Sequence, residues 1–279
     1  MKPRFARTFL FIILVAAPGF HAPASAAGVQ WYSTVEQASS AALKTNKPML
    51  LDFWADWCAA CRVMEKDVYS DRGFAGAADG FLLVRIDFDK KTALCRKYNV
   101  IALPTLVFTD SYGNELFRHR GFMDAKPLAE LMRSLPGDVT EFNKLNKILA
   151  QDKNNFEALQ AMGKNLRSAS LFLASNDYYE RALQRNEAKA SPATREAIMS
   201  EIGLNSLEVK DGKHAAETFE KCLKEFPGSQ HKTEWTLALG RAYVLAERKD
   251  KASKLLDAFV RQHSGTAESK EAKALLDSL

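Results

Sequence analysis

LLDFWADWCAACRVME, Leu50 to Glu65, decides how the chain is read. An apolar run, Met49 to Ala55, leads directly into two cysteines three positions apart, Cys58 and Cys61, and then into a helical stretch, Arg62 to Ser70. A short, nearly continuous apolar run is the mark of a strand covered on both faces. The cysteine pair therefore falls at the carboxyl end of a buried strand, where open α/β sheets collect their reactive groups.

Working outward, Ser33-Thr34-Val35-Glu36 has the S-x-x-E form of a capping box and opens a helix over Thr34 to Asn46, which Lys47-Pro48 ends. Phe81 to Asp89 reads as a second buried strand and Lys91 to Asn99 as a short helix. Thr105 to Asp110 and Glu115 to Gly121 are strands joined by the turn signal Ser111-Tyr112-Gly113-Asn114, and Asp124 to Leu135 is a closing helix. Strands alternating with helices predict a mixed sheet with helices on both faces, ending near Pro136-Gly137.

Beyond about Thr140 the strands stop and a helical repeat begins. Gly163, Gly203 and Gly240 are spaced by 40 and 37 residues, and the same spacings relate Ser175, Ala215 and Ala252, then Tyr179, Phe219 and Leu256, then Ala182, Cys222 and Phe259. Small residues at fixed points let paired helices approach closely, and the large residue fills the groove between them. The pattern predicts three tetratricopeptide-type helix pairs closed by a polar capping helix. The expected organisation is a signal peptide over 1–26, an α/β domain over 27–136, a linker and connecting helix over 137–155, and helical repeats over 156–279.

The first segment stands apart from the fold. Lys2, Arg4 and Arg7 precede the apolar run Phe9 to Ala17, and Ala24-Ser25-Ala26 has the form of a cleavage site. This is the pattern of a secretory signal peptide cleaved after Ala26, and it predicts an exported, periplasmic protein. Cleavage removes three positive charges, so the formal charge of +5 falls to +2 (5 − 3). Lys and Arg are spread among Asp and Glu, as on a solvated surface, and no nucleic-acid partner is expected.

Four cysteines, Cys58, Cys61, Cys95 and Cys222, are too few for a disulfide-stapled scaffold. A zinc site needs about four ligands. There is no second CxxC, and His119, His214, His231 and His263 share no ligand spacing, so neither a metal nor another cofactor is expected. A purely structural disulfide across two residues adds little stability. The remaining reading is a reactive dithiol. A thiolate at a helix N-terminus faces unpaired backbone N–H groups and the positive end of the macrodipole, which lowers its pKa. Cys58 sits there as the nucleophile, and Cys61, one turn on, is placed to resolve a mixed disulfide. Trp54 and Trp57 flank the pair, either as an apolar platform or as core packing. Cys95 and Cys222 read as small buried hydrophobes.

These residues carry a resemblance. Ala55-Asp56-Trp57-Cys58-x-Ala60-Cys61, Glu65 seven residues after Cys58, Leu103-Pro104-Thr105, and Gly121-Phe122-Met123-Asp124-Ala125 resemble a thioredoxin-fold domain, in particular the periplasmic C-terminal domain of the DsbD-type transmembrane thiol reductases. The resemblance covers about Met49 to Leu135. It implies that Pro104 is a cis-proline beside the dithiol and that the Leu103 backbone pairs with an extended substrate; Trp57 and Thr105 are expected to bind substrate with them. It also implies that Asp52 is a buried acid and Glu65 a second acid, both tuning proton transfer at the cysteines. On physical grounds, a buried carboxylate near two thiols has a raised pKa and exchanges protons near neutrality. The plainer readings are a satisfied polar residue at a strand edge for Asp52 and an exposed helix carboxylate for Glu65. Ala59-Ala60 stands where thioredoxin has Gly-Pro, so thioredoxin's potential does not transfer.

The leading expectation is an exported thiol–disulfide oxidoreductase acting on protein disulfides through Cys58. It would draw electrons from a membrane or exported thiol donor, and its repeats would hold a peptide or protein partner. Two alternatives use the same residues: an interaction scaffold with a thioredoxin-like docking module, and an oxidant or isomerase. Reduction potentials in such proteins run from about −270 to −120 mV, and the sequence alone assigns none.

Overall fold

The computed structural model describes residues 29–279; the expected signal peptide and its cleavage site lie outside the described residues. The first half is built on a five-stranded mixed sheet. In chain order come β1 (Trp31–Tyr32), α1 (Val35–Thr45), β2 (Met49–Trp54), α2 (Ala59–Val63), α3 (Arg72–Ala78), β3 (Leu82–Asp87), α4 (Thr92–Lys97), β4 (Thr105–Thr109), β5 (Glu115–Arg120) and α5 (Ala125–Ser134). The strand order is β1-β3-β2-β4-β5. β2 runs parallel to β3 and antiparallel to β4, so the most apolar strand is central, as its composition demands.

Strand alternation divides the core into two faces. Leu50, Leu83, Leu106 and Phe108 pack with Met64, Phe74, Leu128 and Met132 on one face. Met49, Leu51, Phe53, Val84 and Val107 pack with Ala38, Ala42 and Tyr98 on the other. Asp52 shares the parity of Leu50 and lies directly opposite Arg85 in the β2–β3 register.

The expected strands and helices form, with local differences. The cap of α1 is Thr34 rather than Ser33: its Oγ1 accepts from Gln37 N–H at 3.2 Å, while the Ser33 hydroxyl donates to Gln37 Oε1 at 3.2 Å. The helix after the dithiol does not run evenly. Met64–Val68 is a π-turn, closed by Tyr69 N–H donating to Met64 O at 2.9 Å. β1 and α3 had no sequence signal, because two residues show no alternation and Arg72–Ala78 carries two glycines.

The remaining elements are all helical: α6 (Thr140–Gln151), α7 (Phe156–Ser168), α8 (Phe172–Leu183), α9 (Asn186–Ala190), α10 (Pro192–Glu208), α11 (Gly212–Glu225), α12 (Lys232–Leu245), α13 (Lys249–Gln262) and α14 (Ala267–Asp277). α7/α8, α10/α11 and α12/α13 are pairs of one design. A Cβ added at Gly163 would stand 2.6 Å from the Tyr179 ring, and one at Gly203 would stand 2.6 Å from the Phe219 ring. Only a glycine lets these helices approach so closely. The connecting turns repeat too: Ser170, Lys210 and Glu247, again 40 and 37 residues apart, all take positive φ (58, 58 and 56°).

α6 is no free tether. Val139 N–H donates to Asn46 O at 2.8 Å, and Asn143 Nδ2 donates to Asn46 Oδ1 at 3.1 Å and to Ser111 Oγ at 3.0 Å. Asn146 Nδ2 donates to the buried Asp110 carboxylate, which also accepts from Tyr112 and Asn114 N–H. Val139, Phe142 and Leu149 continue the core cluster of the sheet into Phe156, Leu159 and Tyr179 of the first helix pair. The helices are thus joined to the sheet at the pole where β2 begins and β4 ends. Asn146→Ala removes a donor from a buried carboxylate and should cost about 1–3 kcal/mol in chemical denaturation. An unchanged midpoint would show that the joint carries no stability.

Candidate active site

The apolar β2 ends at Trp54, and the chain turns at once into α2. Cys58 is the N-cap of α2: its backbone is extended (φ −78°, ψ 102°), and its Sγ accepts from Cys61 N–H at 3.1 Å. That N–H is one of the donors a helix start leaves unpaired, so a thiolate at Cys58 has a ready hydrogen-bond donor. Cys58 and Cys61 are joined as a disulfide, S–S 2.09 Å and Cα–Cα 5.3 Å. Both are buried in a small apolar nest with Ala55, against Trp54, Ala60, Phe88 and Leu103.

The Leu103–Pro104 bond is cis. Leu103 precedes Thr105, the first residue of the β2–β4 register, so its N–H and C=O lie outside that ladder, and the residue packs against the cysteines. Pro104 is buried, and its carbonyl accepts from Gly121 N–H at 2.8 Å. Thr105 is placed differently from the expected substrate contact. It is fully buried, and its hydroxyl donates to Ala102 O at 2.7 Å, bracing the loop rather than facing outward. Trp57 is 64% exposed, with its indole N–H donating to Asp89 Oδ2 at 3.0 Å, so it is surface and not core.

Next to Trp54, which packs on the dithiol nest, lies a charged cluster. Asp52, 2% exposed, has Oδ2 3.0 Å from Arg85 Nε, and Arg85 Nη1 is 3.4 Å from Glu65 Oε1. One guanidinium therefore serves both expected acids. Glu65 is largely exposed as well, so its plainer reading also describes it. The guanidinium carbon lies 4.5 Å from the Trp54 ring, 5.5 Å from Trp31 and 5.7 Å from Tyr69, a cage of π faces. Trp54 thus joins the dithiol nest to the ion pair. Burial pushes the Asp52 carboxyl up to about 6; the Arg85 charge and then the Tyr69 hydroxyl oppose the rise, and Glu65 adds to it slightly. Such a group changes charge near neutrality, as a proton acceptor for a thiol requires.

Arg85 and Tyr69 escaped the sequence reading. Arg85 had a signal: a charge inside the apolar run Phe81 to Phe88 needs an opposite charge, and Asp52 is the acid in the neighbouring run. Tyr69 had none, because only the π-turn brings it inward. Cys95 and Cys222 are buried, as expected, and burial raises both thiols, Cys222 to about 12.

Because Asp52 binds its proton more tightly in the folded chain, its charge costs stability as pH rises. The cost is absent below the unfolded value near 3.8, grows as pH climbs to about 6, and is complete above about 7. Asp52→Asn removes that pH dependence. The stability of the variant relative to the parent should therefore improve between pH 4 and pH 8, by on the order of 2–3 kcal/mol. Urea denaturation of the oxidised protein at both pH values checks this; a pH-independent difference would place Asp52 outside the titrating cluster.

Residues 35–136 match the model of the thioredoxin-like domain. The thiol:disulfide interchange protein DsbD of Yersinia pestis is 40% identical over 97 residues, 33% of this chain and 16% of that protein. DsbD of Cronobacter sakazakii is 41% identical over 90 residues, 30% of this chain and 16% of that protein. The chain thus spans about a sixth of the length of these relatives. Among solved structures, the oxidised C-terminal domain of Neisseria meningitidis DsbD aligns at 25% identity over 37% of this chain and 97% of that one, with a TM-score of 0.33. Residues 35–136, where this chain is similar to the thioredoxin-like domain, carry β2 to β5 of the five-stranded sheet, and within them the Cys58–Cys61 pair sits at disulfide distance after the central strand.

Proposed function

We propose that the protein is an exported thiol–disulfide oxidoreductase that reduces or exchanges disulfides in protein substrates. The observation that carries this reading is the Cys58–Cys61 pair at the end of β2, with Cys58 Sγ accepting from Cys61 N–H and a buried carboxylate, Asp52, on that same strand. In the dithiol form the Cys58 thiolate attacks one sulfur of a substrate disulfide, and the other leaves as a thiolate and takes a proton. Cys61 gives its proton to Asp52 and attacks Cys58 Sγ. The second substrate sulfur leaves and is protonated. Two electrons pass to the substrate, and the Cys58–Cys61 disulfide remains. A membrane or exported thiol donor returns two electrons.

Trp57 and Leu103 form the receiving surface, shaped by the buried cis-Pro104, with Leu103 N–H and C=O pairing to an extended segment. Ile101, three residues before Pro104, and Phe122, which follows the Gly121 bonded to Pro104 O, add exposed apolar area, which suits a protein substrate. Glu65 acts with Asp52 through the shared guanidinium. The helix pairs are tetratricopeptide-like and hold a peptide or protein partner. The support is an open cleft of about 830 Å³ between α7 and α10, lined by Lys164, Arg167, Phe172, Ile198 and Glu201 among others.

The deciding experiment is trapping. Cys61→Ala, expressed with its leader, should accumulate mixed disulfides with exported proteins, and Cys58→Ala should not. Equal trapping by both, or none by either, removes the assigned roles. A chain ending after Asp152 keeps α6 in place. It should still reduce a small generic disulfide at the full rate while losing partner-specific trapping, since a tethered groove acts only through effective concentration. Loss of generic reduction by that chain, still folded, would place the repeats in the site itself.

A further inference from the structure

Tyr69 is buried, titratable and unused in the reaction as written above. Its position depends on the π-turn. In a continued α-helix only Val68 would stack over the inward-facing Met64. The wider turn lets Tyr69 follow it inward as well, and all three side chains are buried. The ring is fully accounted for by packing: its centroid is 5.0 Å from Trp31 and 5.0 Å from Phe74. The hydroxyl is not. It is buried without an aligned hydrogen-bond partner, a situation that costs free energy and that phenylalanine would avoid.

The charged groups facing it are Asp52 from β2, Arg85 from β3 and Glu65 from its own helix, while β1 and α3 contribute the Trp31 and Phe74 rings. Arg85 offers no acceptor, and Glu65 is largely in solvent. The buried Asp52 carboxylate is the acceptor left. Arg85 reaches that carboxylate at 3.0 Å, also without an aligned hydrogen bond, so Asp52 retains capacity for another donor.

We propose that Tyr69 is a positioning residue for Asp52: its hydroxyl turns to donate to the Asp52 carboxylate and, with Arg85, holds that carboxylate ready to take the proton from Cys61. The role of the held carboxylate rests on the oxidoreductase reading; the Tyr69–Asp52 bond does not. Burial and the neighbouring carboxylate keep the phenol protonated well above its usual range, so Tyr69 is a donor at every working pH. A donor to the charged form favours that form, so removing it raises the proton affinity of Asp52.

The test uses the full chain in its disulfide form, with carbon-13 carboxyl labelling of aspartate and Asp52→Asn to assign the signal. Tyr69→Phe preserves the ring and should move the Asp52 midpoint upward by about half a pH unit or more. Fluorinated tyrosine at position 69, a stronger donor that keeps the hydroxyl, should move it downward. In single-turnover resolution of a Cys58 mixed disulfide, Tyr69→Phe should shift the pH profile upward in the parent and produce no further shift in Asp52→Asn. An Asp52 midpoint unchanged in both substituted proteins overturns the proposal. So does a Tyr69→Phe effect that persists in Asp52→Asn. The carboxyl titration needs no substrate, so its outcome stands apart from whether Cys61→Ala traps partners.

Discussion

The buried contact between Asp52 and Arg85 constrains everything around the dithiol. The two residues face each other because β2 and β3 pair in parallel with Asp52 opposite Arg85, and a one-residue slip would send one of them to the other face. Leaving either charge buried and alone is expensive, about 3–5 kcal/mol in comparable cases. The pair therefore dictates much of what surrounds it. Trp31, Trp54 and Tyr69 supply ring faces to the guanidinium, and the π-turn is what brings Tyr69 into range. Glu65, one turn beyond Cys61, takes the free side of the guanidinium. The same burial that makes the pair costly lifts Asp52 toward neutrality, so the constraint and the chemistry have one cause.

The opposite pole of the sheet follows a parallel logic with a different purpose. There Asp110 is also a buried carboxylate raised by burial, but its partners are neutral amides, Asn114 and Asn146 with the backbone N–H groups of Tyr112 and Asn114. No cation sits at hydrogen-bond distance from it among the described residues. It joins the helical half to the sheet.

Much of this was legible in the chain. The apolar runs marked β2, β3 and β4 because a covered strand has no polar face, and the 40- and 37-residue spacings marked the helix pairs because close approach demands a small residue. Cys58, Cys61 and the cis-proline loop were legible through local pattern and resemblance. What escaped was set by tertiary geometry. Arg85 becomes meaningful only when β3 is laid beside β2, and Tyr69 only when one helical turn widens. The direction of the Thr105 side chain was not legible, because motif proximity does not say which way a side chain points; its hydroxyl turns inward to Ala102. Asn143 and Asn146 read as ordinary helix polars, and only the docking of α6 shows them as buried donors.

On the proposed function, Cys58 and Cys61 cycle between dithiol and disulfide to pass electrons to protein substrates. Equilibration of the full chain with glutathione buffers of graded potential tests it most directly, with the reduced fraction read by thiol alkylation. The expected result is a single reversible two-electron transition confined to this pair and lying toward the reducing end of the range of about −270 to −120 mV spanned by dithiol proteins of this kind. A pair that stays closed at every buffer ratio would be a structural staple, and a transition at the oxidising end would mark an oxidant; either would contradict it.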